Sequence, residues 1–248
     1  VGTPGFDAGT DTDDDGIRDD VEIQQEFGNG TVGASPVHSM DPFIKRSALI
    51  LSNDGIEIPD PEGNPLDGYS PMLHGADWTV ECYVKIASAG RSGYLIDCPG
   101  PYGVGDIAFR LELSNDVPIV SFDTLGLYRY SVEGLAIPTN RWTHLAAVWN
   151  SSANSLALYV DGVFVIEQRI YEESLSGYLY SSALPPRLCV SADGSFANQI
   201  SVDEVRIWKI ARSPAEVEEY RTRLVPQNTQ GLAAYFRFDD GGTSAEDF

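Results

Sequence analysis

A chain of 248 residues with 42% apolar side chains is long enough to fill one large domain core. Its formal net charge of −21 disfavours any attraction to nucleic acid or to an anionic membrane surface. No apolar run reaches the roughly 18 residues that a membrane-spanning helix needs, and three cysteines cannot define a disulfide scaffold.

The first residues carry the strongest chemical signal. Asp11, Asp13 and Asp15 lead into Gly16, and Glu22 stands twelfth counted from Asp11. This is the D-x-D-x-D-G-x5-E spacing of a calcium loop. Ca2+ takes six to eight hard oxygens, and the pattern supplies them: alternate carboxylates, the Ile17 carbonyl, Asp19 at position nine and a bidentate Glu22, with Gly16 allowing the bend. Val21–Phe27 then forms about two helical turns with Ile23 and Phe27 on one face. Ca2+ is the expected cofactor. Residues 1–30 read as a calcium-binding segment, 31–46 as a linker without periodicity, and 47–248 as one domain.

Within that domain the pattern is of strands. Ala48–Ser52 and Gly55–Ile58 flank an Asn-Asp-Gly turn, and a Pro- and Gly-rich loop leads to a strand from Trp78 to Lys85. Gly93–Asp97, Ile107–Ser114, Pro118–Asp123 and Tyr128–Val132 recur at the spacing of an all-β sandwich. Tyr128 and Tyr130 share a face with Val132 and are expected to fill the core. If Val80–Ile86 and Gly93–Cys98 form a hairpin, Cys82 and Cys98 stand opposite each other with Cβ atoms about 4.5–5.5 Å apart. A disulfide is then feasible, the alternative being two small buried hydrophobes.

Trp142–Trp149 alternates with apolar residues on both faces, turns at Asn150–Asn154, and returns as Leu156–Val160 before Asp161-Gly162. Apolar side chains on both faces predict a central hairpin rather than an edge. Phe164–Arg169 follows, then a loop from Ile170 to Pro186, then strands Arg187–Ser191 and Ile200–Trp208. Ser213-Pro214-Ala215-Glu216 is a capping box with proline at the first helical position, and Val217, Tyr220 and Leu224 mark the packing face of a helix. Gly231–Asp239 alternates again, with Leu232, Ala234, Phe236 and Phe238 on one side.

Trp142-Thr143-His144-Leu145-Ala146, with Leu158-Tyr159-Val160-Asp161-Gly162, resembles the core signature of laminin-G-like domains, within the concanavalin A-like and pentraxin-like jelly rolls. The segments from Trp78 to Lys85 and from Val202 to Trp208, with the helix after them, are similar to two further strands of that family. The resemblance implies an antiparallel two-sheet jelly-roll sandwich with one short helix. Residues 231–240 are similar to a strand that commonly opens such domains. Here that strand is expected to fold back and pair beside Ala48–Ser52, because its apolar stripe would otherwise be exposed. The calcium segment resembles the calcium loops of thrombospondin type 3 repeats and similar D-x-D-x-D-G-x-x-D segments in secreted bacterial proteins.

Function is less directly written. Pentraxin-like relatives hold calcium through acids after the strand matching Arg187–Ser191. Here only Asp193 lies at that place, with Asp106 and Asp203 as candidate helpers of a second metal or ligand site. Tyr171, Tyr178 and Tyr180 on the Ile170–Pro186 loop are candidates for stacking on sugar rings or anchoring a protein. A glycoside hydrolase needs two carboxylates across the scissile bond, but strand alternation puts Asp203 and Glu204 on opposite faces. His38, His74 and His144 have no nucleophile elbow nearby. The expectation is therefore a non-catalytic, calcium-stabilised extracellular module binding a glycan or protein through sandwich-edge loops. The alternative is a structural repeat beside neighbouring domains in a larger bacterial cell-surface or matrix protein.

Overall fold

The computed structural model describes residues 48–49, 56–57, 77–99, 107–123, 129–169, 187–190, 200–221, 225–226 and 228–238. The strands are β1 (Ala48–Leu49), β2 (Ile56–Glu57), β3 (Trp78–Ile86), β4 (Gly93–Pro99), β5 (Ile107–Ser114), β6 (Val117–Asp123) and β7 (Arg129–Glu133). There follow β8 (Trp142–Asn150), β9 (Ser155–Val160), β10 (Val163–Arg169), β11 (Arg187–Val190), β12 (Ile200–Trp208), the helix α1 (Pro214–Arg221) and β13 (Leu232–Phe236). They form two antiparallel sheets. One runs β1-β12-β3-β8-β9-β10, with β13 also on β12; the other runs β2-β11-β4-β5-β6-β7. This is the jelly-roll sandwich that the sequence predicts, with one short helix among the described residues.

The tight turns follow from the residues placed in them. Asn115 and Asp116 both have positive φ (51° and 69°), as do Asp161 and Gly162 (50° and 75°), which suits the two-residue connections β5–β6 and β9–β10. Asp116 does more than turn. Its carboxylate accepts the amides of Gly90 and Arg91, each at 2.6 Å, and so holds the β3–β4 connection. Gly162 lies beneath α1: a Cβ there would stand 1.7 Å from a Glu218 carboxylate oxygen. Gly162→Ala should therefore cost on the order of 1–2 kcal/mol, mostly from the left-handed backbone. A thermal melt tests this, and an unchanged midpoint would show that the turn relaxes freely.

The core lies between the sheets. Val80, Cys82, Val84 and Ile86 of β3 meet Leu145, Ala147 and Trp149 of β8, with Phe109, Leu111, Val120 and Phe122 from the other sheet. Trp149 stands edge-on to Phe122 at 5.0 Å, and Trp78 to Phe109 at 4.4 Å. Tyr130 packs against this cluster, 5.6 Å from the Phe122 ring, as expected of a core filler; Tyr128 lies outside the described residues. β8 and β9 are interior strands, and their second apolar face has a separate cause. Ala146, Val148, Ala157 and Tyr159 pack on Val217 of α1. The capping box forms as read, Ser213 N donating to Glu216 at 2.7 Å and Glu216 N to Ser213 Oγ at 3.3 Å.

Two expectations need correcting. β3 and β4 do not form a hairpin; they belong to different sheets, and Cys82 stands opposite Leu145 of β8. Cys82 is a free, buried thiol, and burial, with the Glu81 charge beside it, pushes its pKa up to about 12. β13 does fold back into this sandwich, but not beside β1. It pairs with β12 from Val205 to Trp208, while β1 pairs with the same strand at Ser201 and Val202. Since β3 takes the other edge of β12, β1 and β13 follow one another along a single edge.

Candidate functional site

The two outward faces of the sandwich differ in kind. On the seven-stranded sheet the outward face is covered by α1 and buries a polar network. Arg212 donates to one Glu81 oxygen at 2.6 Å, and His144 Nε2 meets the other at 3.3 Å. Arg206 donates to Glu204 at 2.6 Å, and the Tyr235 hydroxyl bonds the same carboxylate. The network also receives the helix. Arg206 donates to the Tyr220 carbonyl at 2.6 Å and Tyr83 to the Arg221 carbonyl at 2.8 Å. These are terminal carbonyls that a helix leaves without internal partners. Glu81 and Glu204 are each matched to a buried arginine, so this pairing secures structure.

A β-bulge makes that possible. Between Asp203 and Arg206 the register to β3 shifts, and Glu204 adopts a left-handed φ of 50°. The extra residue places the Glu204 carboxylate on the same face as Arg206, and Asp203 shares that face through its pairing with Tyr83. The two acids are thus not on opposite faces as strand alternation predicts; the bulge overrides it. Asp203 itself is fully buried and accepts the Glu204 amide at 2.9 Å.

The burial has a consequence for acid stability. Burial pushes Glu81 up, but His144, Arg212 and Arg206 outweigh it and hold the carboxyl at about 2. Its contribution is present above 4.5 and begins to be lost only below that. Burial lowers His144, against the opposing pull of Glu81, so the folded protein takes up this proton at a lower pH than the unfolded chain does. The unfolded chain takes up that proton below about 6.5, so stability should fall as pH drops below 6.5. The slope is at most about 1.4 kcal/mol per pH unit. Melts of wild type and His144→Gln between pH 7.5 and 5.5 check this. A wild-type midpoint that does not move across that window would refute it.

The six-stranded sheet presents a different outward face. β4 carries a bulge at Leu95, where the register to β5 shifts between Tyr94 and Ile96. Leu95 and Ile96 are both buried in the core, which leaves Tyr94 and Asp97 pointing outward together. Direct cross-strand pairs then align Arg187, Asp97, Arg110, Ser121 and Ser131 in one row across β11, β4, β5, β6 and β7. A second row runs Tyr94, Glu112, Ile119 and Glu133. Asp97 is 2% exposed and is gripped from both sides. Arg110 turns Nε and Nη2 to it at 2.8 and 2.7 Å, and Arg187 reaches it at 3.2 Å. Arg129 holds Asp123 with two bonds of 2.8 and 3.0 Å.

Two groups on this face remain uncommitted among the described residues. The Arg110 guanidinium lies 3.7 Å over the Tyr94 ring, and its Nη1 bonds no described group. Glu112, two residues along the same strand, is half-buried and makes no hydrogen bond or ion pair with a described group. Burial raises its pKa, as does Asp97, against Arg110 and Arg129. A fixed donor and a half-buried acceptor roughly 6.6 Å apart along one strand, beside an aromatic ring, can take hydroxyl groups of a ligand.

The residues singled out in the sequence fare unevenly. Asp11, Asp13, Asp15, Ile17, Asp19 and Glu22 lie outside the described residues, as do Asp106, Asp193, Tyr171, Tyr178 and Tyr180. Among the described residues no cluster of three or more His, Cys, Asp or Glu side chains is placed to hold a metal ion. No described helix is long and apolar enough to cross a membrane. The outward face of the six-stranded sheet was not foreseen. Its signal was the polar parity of β5 to β7, with Arg110 and Glu112, Ser121 and Asp123, and Arg129 and Ser131 at alternate positions.

Comparisons with known proteins place the fold. The family described as the concanavalin A-like lectin/glucanases superfamily (Laminin_G_3) matches residues 52–218. The Ruminococcus gnavus IT-sialidase CBM40 bound to alpha2,3 sialyllactose superposes with a TM-score of 0.55 at 14% identity, over 71% of this chain and 96% of that one. A Bacteroides ovatus protein described as a candidate carbohydrate-binding protein gives 0.52 at 18% identity, over 69% of this chain. This chain spans 49% of that protein's length. The binding domain of Paraclostridial Mosquitocidal Protein 1 gives 0.50 at 13% identity, over 69% of this chain and 42% of that one. A comparison with curated protein sequences returned no match.

Proposed function

Because the chain belongs to the concanavalin A-like lectin/glucanases superfamily, we propose that it is a non-catalytic module that recognises glycan on the outward face of its six-stranded sheet. The observation that carries this reading is the pre-set pair Arg110 and Glu112 beside Tyr94. Arg110 is fixed by Asp97 below and by the Tyr94 ring, so ordering it for a ligand costs little. The CBM40 structure with bound sialyllactose supports the choice of ligand class. Non-catalytic action fits the placement of Glu204, whose carboxylate is buried against Arg206 and Tyr235. Release of reducing sugar from a β-glucan, abolished by Asp203→Asn or Glu204→Gln, would overturn that part.

The reading extends to an extracellular or cell-surface setting and to calcium at Asp11, Asp13, Asp15, Asp19, Glu22 and the Ile17 carbonyl. Calcium that binds only the native state adds about 2.7 kcal/mol at a hundred times its dissociation constant. It should protect residues 1–27 from protease. Titration calorimetry in which Asp13→Ala binds calcium as wild type does would remove this element. For the glycan itself, an array run with calcium and with EGTA identifies ligands. Calorimetry on a hit should then show Tyr94→Ala weakening binding by tenfold or more. Unchanged affinity would move the site elsewhere.

A further inference from the structure

Resting on that reading, we infer that the face takes a neutral, hydroxyl-rich glycan lying across the strands, and discriminates against sialylated or uronic-acid chains. The charges decide this. Each arginine on the face already stands against a carboxylate: Arg110 and Arg187 against Asp97, Arg129 against Asp123. Arg110 and Arg187 share the one Asp97 charge, and Glu112, which has no ion pair of its own among the described residues, offsets the positive charge that remains. With Glu112 at the centre three carboxylates meet the three arginines, and Glu133 further along its row leaves the face with one acid in excess. A ligand carboxylate seated beside Arg110 Nη1 would lie within reach of the Glu112 charge, and like charges at such range repel. The chain as a whole, at −21, repels anions before contact.

The same pairing favours hydroxyl groups. A sugar hydroxyl both donates and accepts, so one molecule can accept from Arg110 and donate to Glu112. Ion pairs fixed within the sheet add directional partners. Length follows from the row: five strands from Arg187 to Ser131 are four steps of about 4.8 Å, or about 19 Å. Along it Asp97 and Ser121 are buried, and Arg187 and Ser131 are the more exposed ends. A face of that width suits several sugar units of an extended chain rather than a single terminal residue. Glu112 also gives a signature. Burial raises its pKa, so as pH falls and the carboxylate takes up a proton, the repulsion of an anionic sugar and the acceptance of a neutral sugar's hydroxyl both weaken.

The test uses the whole chain and matched probes: lacto-N-tetraose against its sialylated form, and cellohexaose and mannohexaose against oligogalacturonate, by calorimetry at pH 7.5 and 5.5. We expect at least one neutral oligosaccharide to bind tenfold or more tightly than every acidic probe at pH 7.5, with a gap no wider at pH 5.5. Glu112→Gln should narrow the gap by weakening the neutral ligand several-fold. Equal or tighter binding of a sialylated or uronic-acid probe overturns this inference while leaving glycan recognition standing. Failure of every probe and every array glycan to bind overturns both.

Discussion

Glu81→Ala should destabilise the protein by about 3–5 kcal/mol, because it leaves buried cations without their counter-charge. Arg212 and Arg206 are 3% and 1% exposed, and Glu81 is the carboxylate that Arg212 meets at 2.6 Å and Arg206 at 3.7 Å. At roughly 2–4 °C per kcal/mol for a domain of this size, the melting midpoint should fall by on the order of 10 °C. Removing Arg212 as well should cost less than the sum of the two single changes, since the uncompensated guanidinium goes with it. A loss below about 1 kcal/mol for Glu81→Ala would mean that the network is hydrated and screened, contrary to its burial.

Truncation before Gly231 should have the larger effect. It removes β13 from β12 and takes away Tyr235, Phe236 and Phe238, all buried. At about 1.5–3 kcal/mol for each large apolar side chain, the loss is roughly 5–8 kcal/mol, comparable with the whole net stability of a domain. The backbone edge of β12 from Val205 to Trp208 would also be uncovered, and Glu204 would lose the Tyr235 hydroxyl. The shortened chain should unfold or aggregate on purification. A monomer melting at the wild-type temperature would show that β13 contributes nothing to this sandwich.

Much of the fold was legible because parity and turn chemistry are local. Asp161-Gly162 announces a tight turn by the left-handed backbone it tolerates, and Trp142–Trp149 shows its two buried faces directly. What could not be read was register. One extra residue at Leu95, and another at Glu204, reverses which side chains share a face. Neither is visible until the partner strand is known. The false hairpin of β3 and β4 has a similar origin: neighbours in sequence were paired, whereas residues 87–92 carry the chain from one sheet to the other, clamped by Asp116. The candidate face was missed for a plainer reason. Arg110, Glu112 and Ser131 look like the ordinary wet side of amphipathic strands. Only the cross-strand rows show which charges are paired and which donor and acceptor are left over.

Glycan recognition by that face is tested most directly by blocking it without disturbing the ion pairs. Ser131 is exposed and lies in the row with Ser121 and Arg110, so Ser131→Trp adds bulk above the sheet and leaves Asp97, Arg110 and Glu112 in place. Calorimetry with an array-identified oligosaccharide should show binding weakened at least tenfold, with a melting midpoint equal to wild type. Wild-type affinity in a folded Ser131→Trp protein would place the ligand elsewhere and contradict the account.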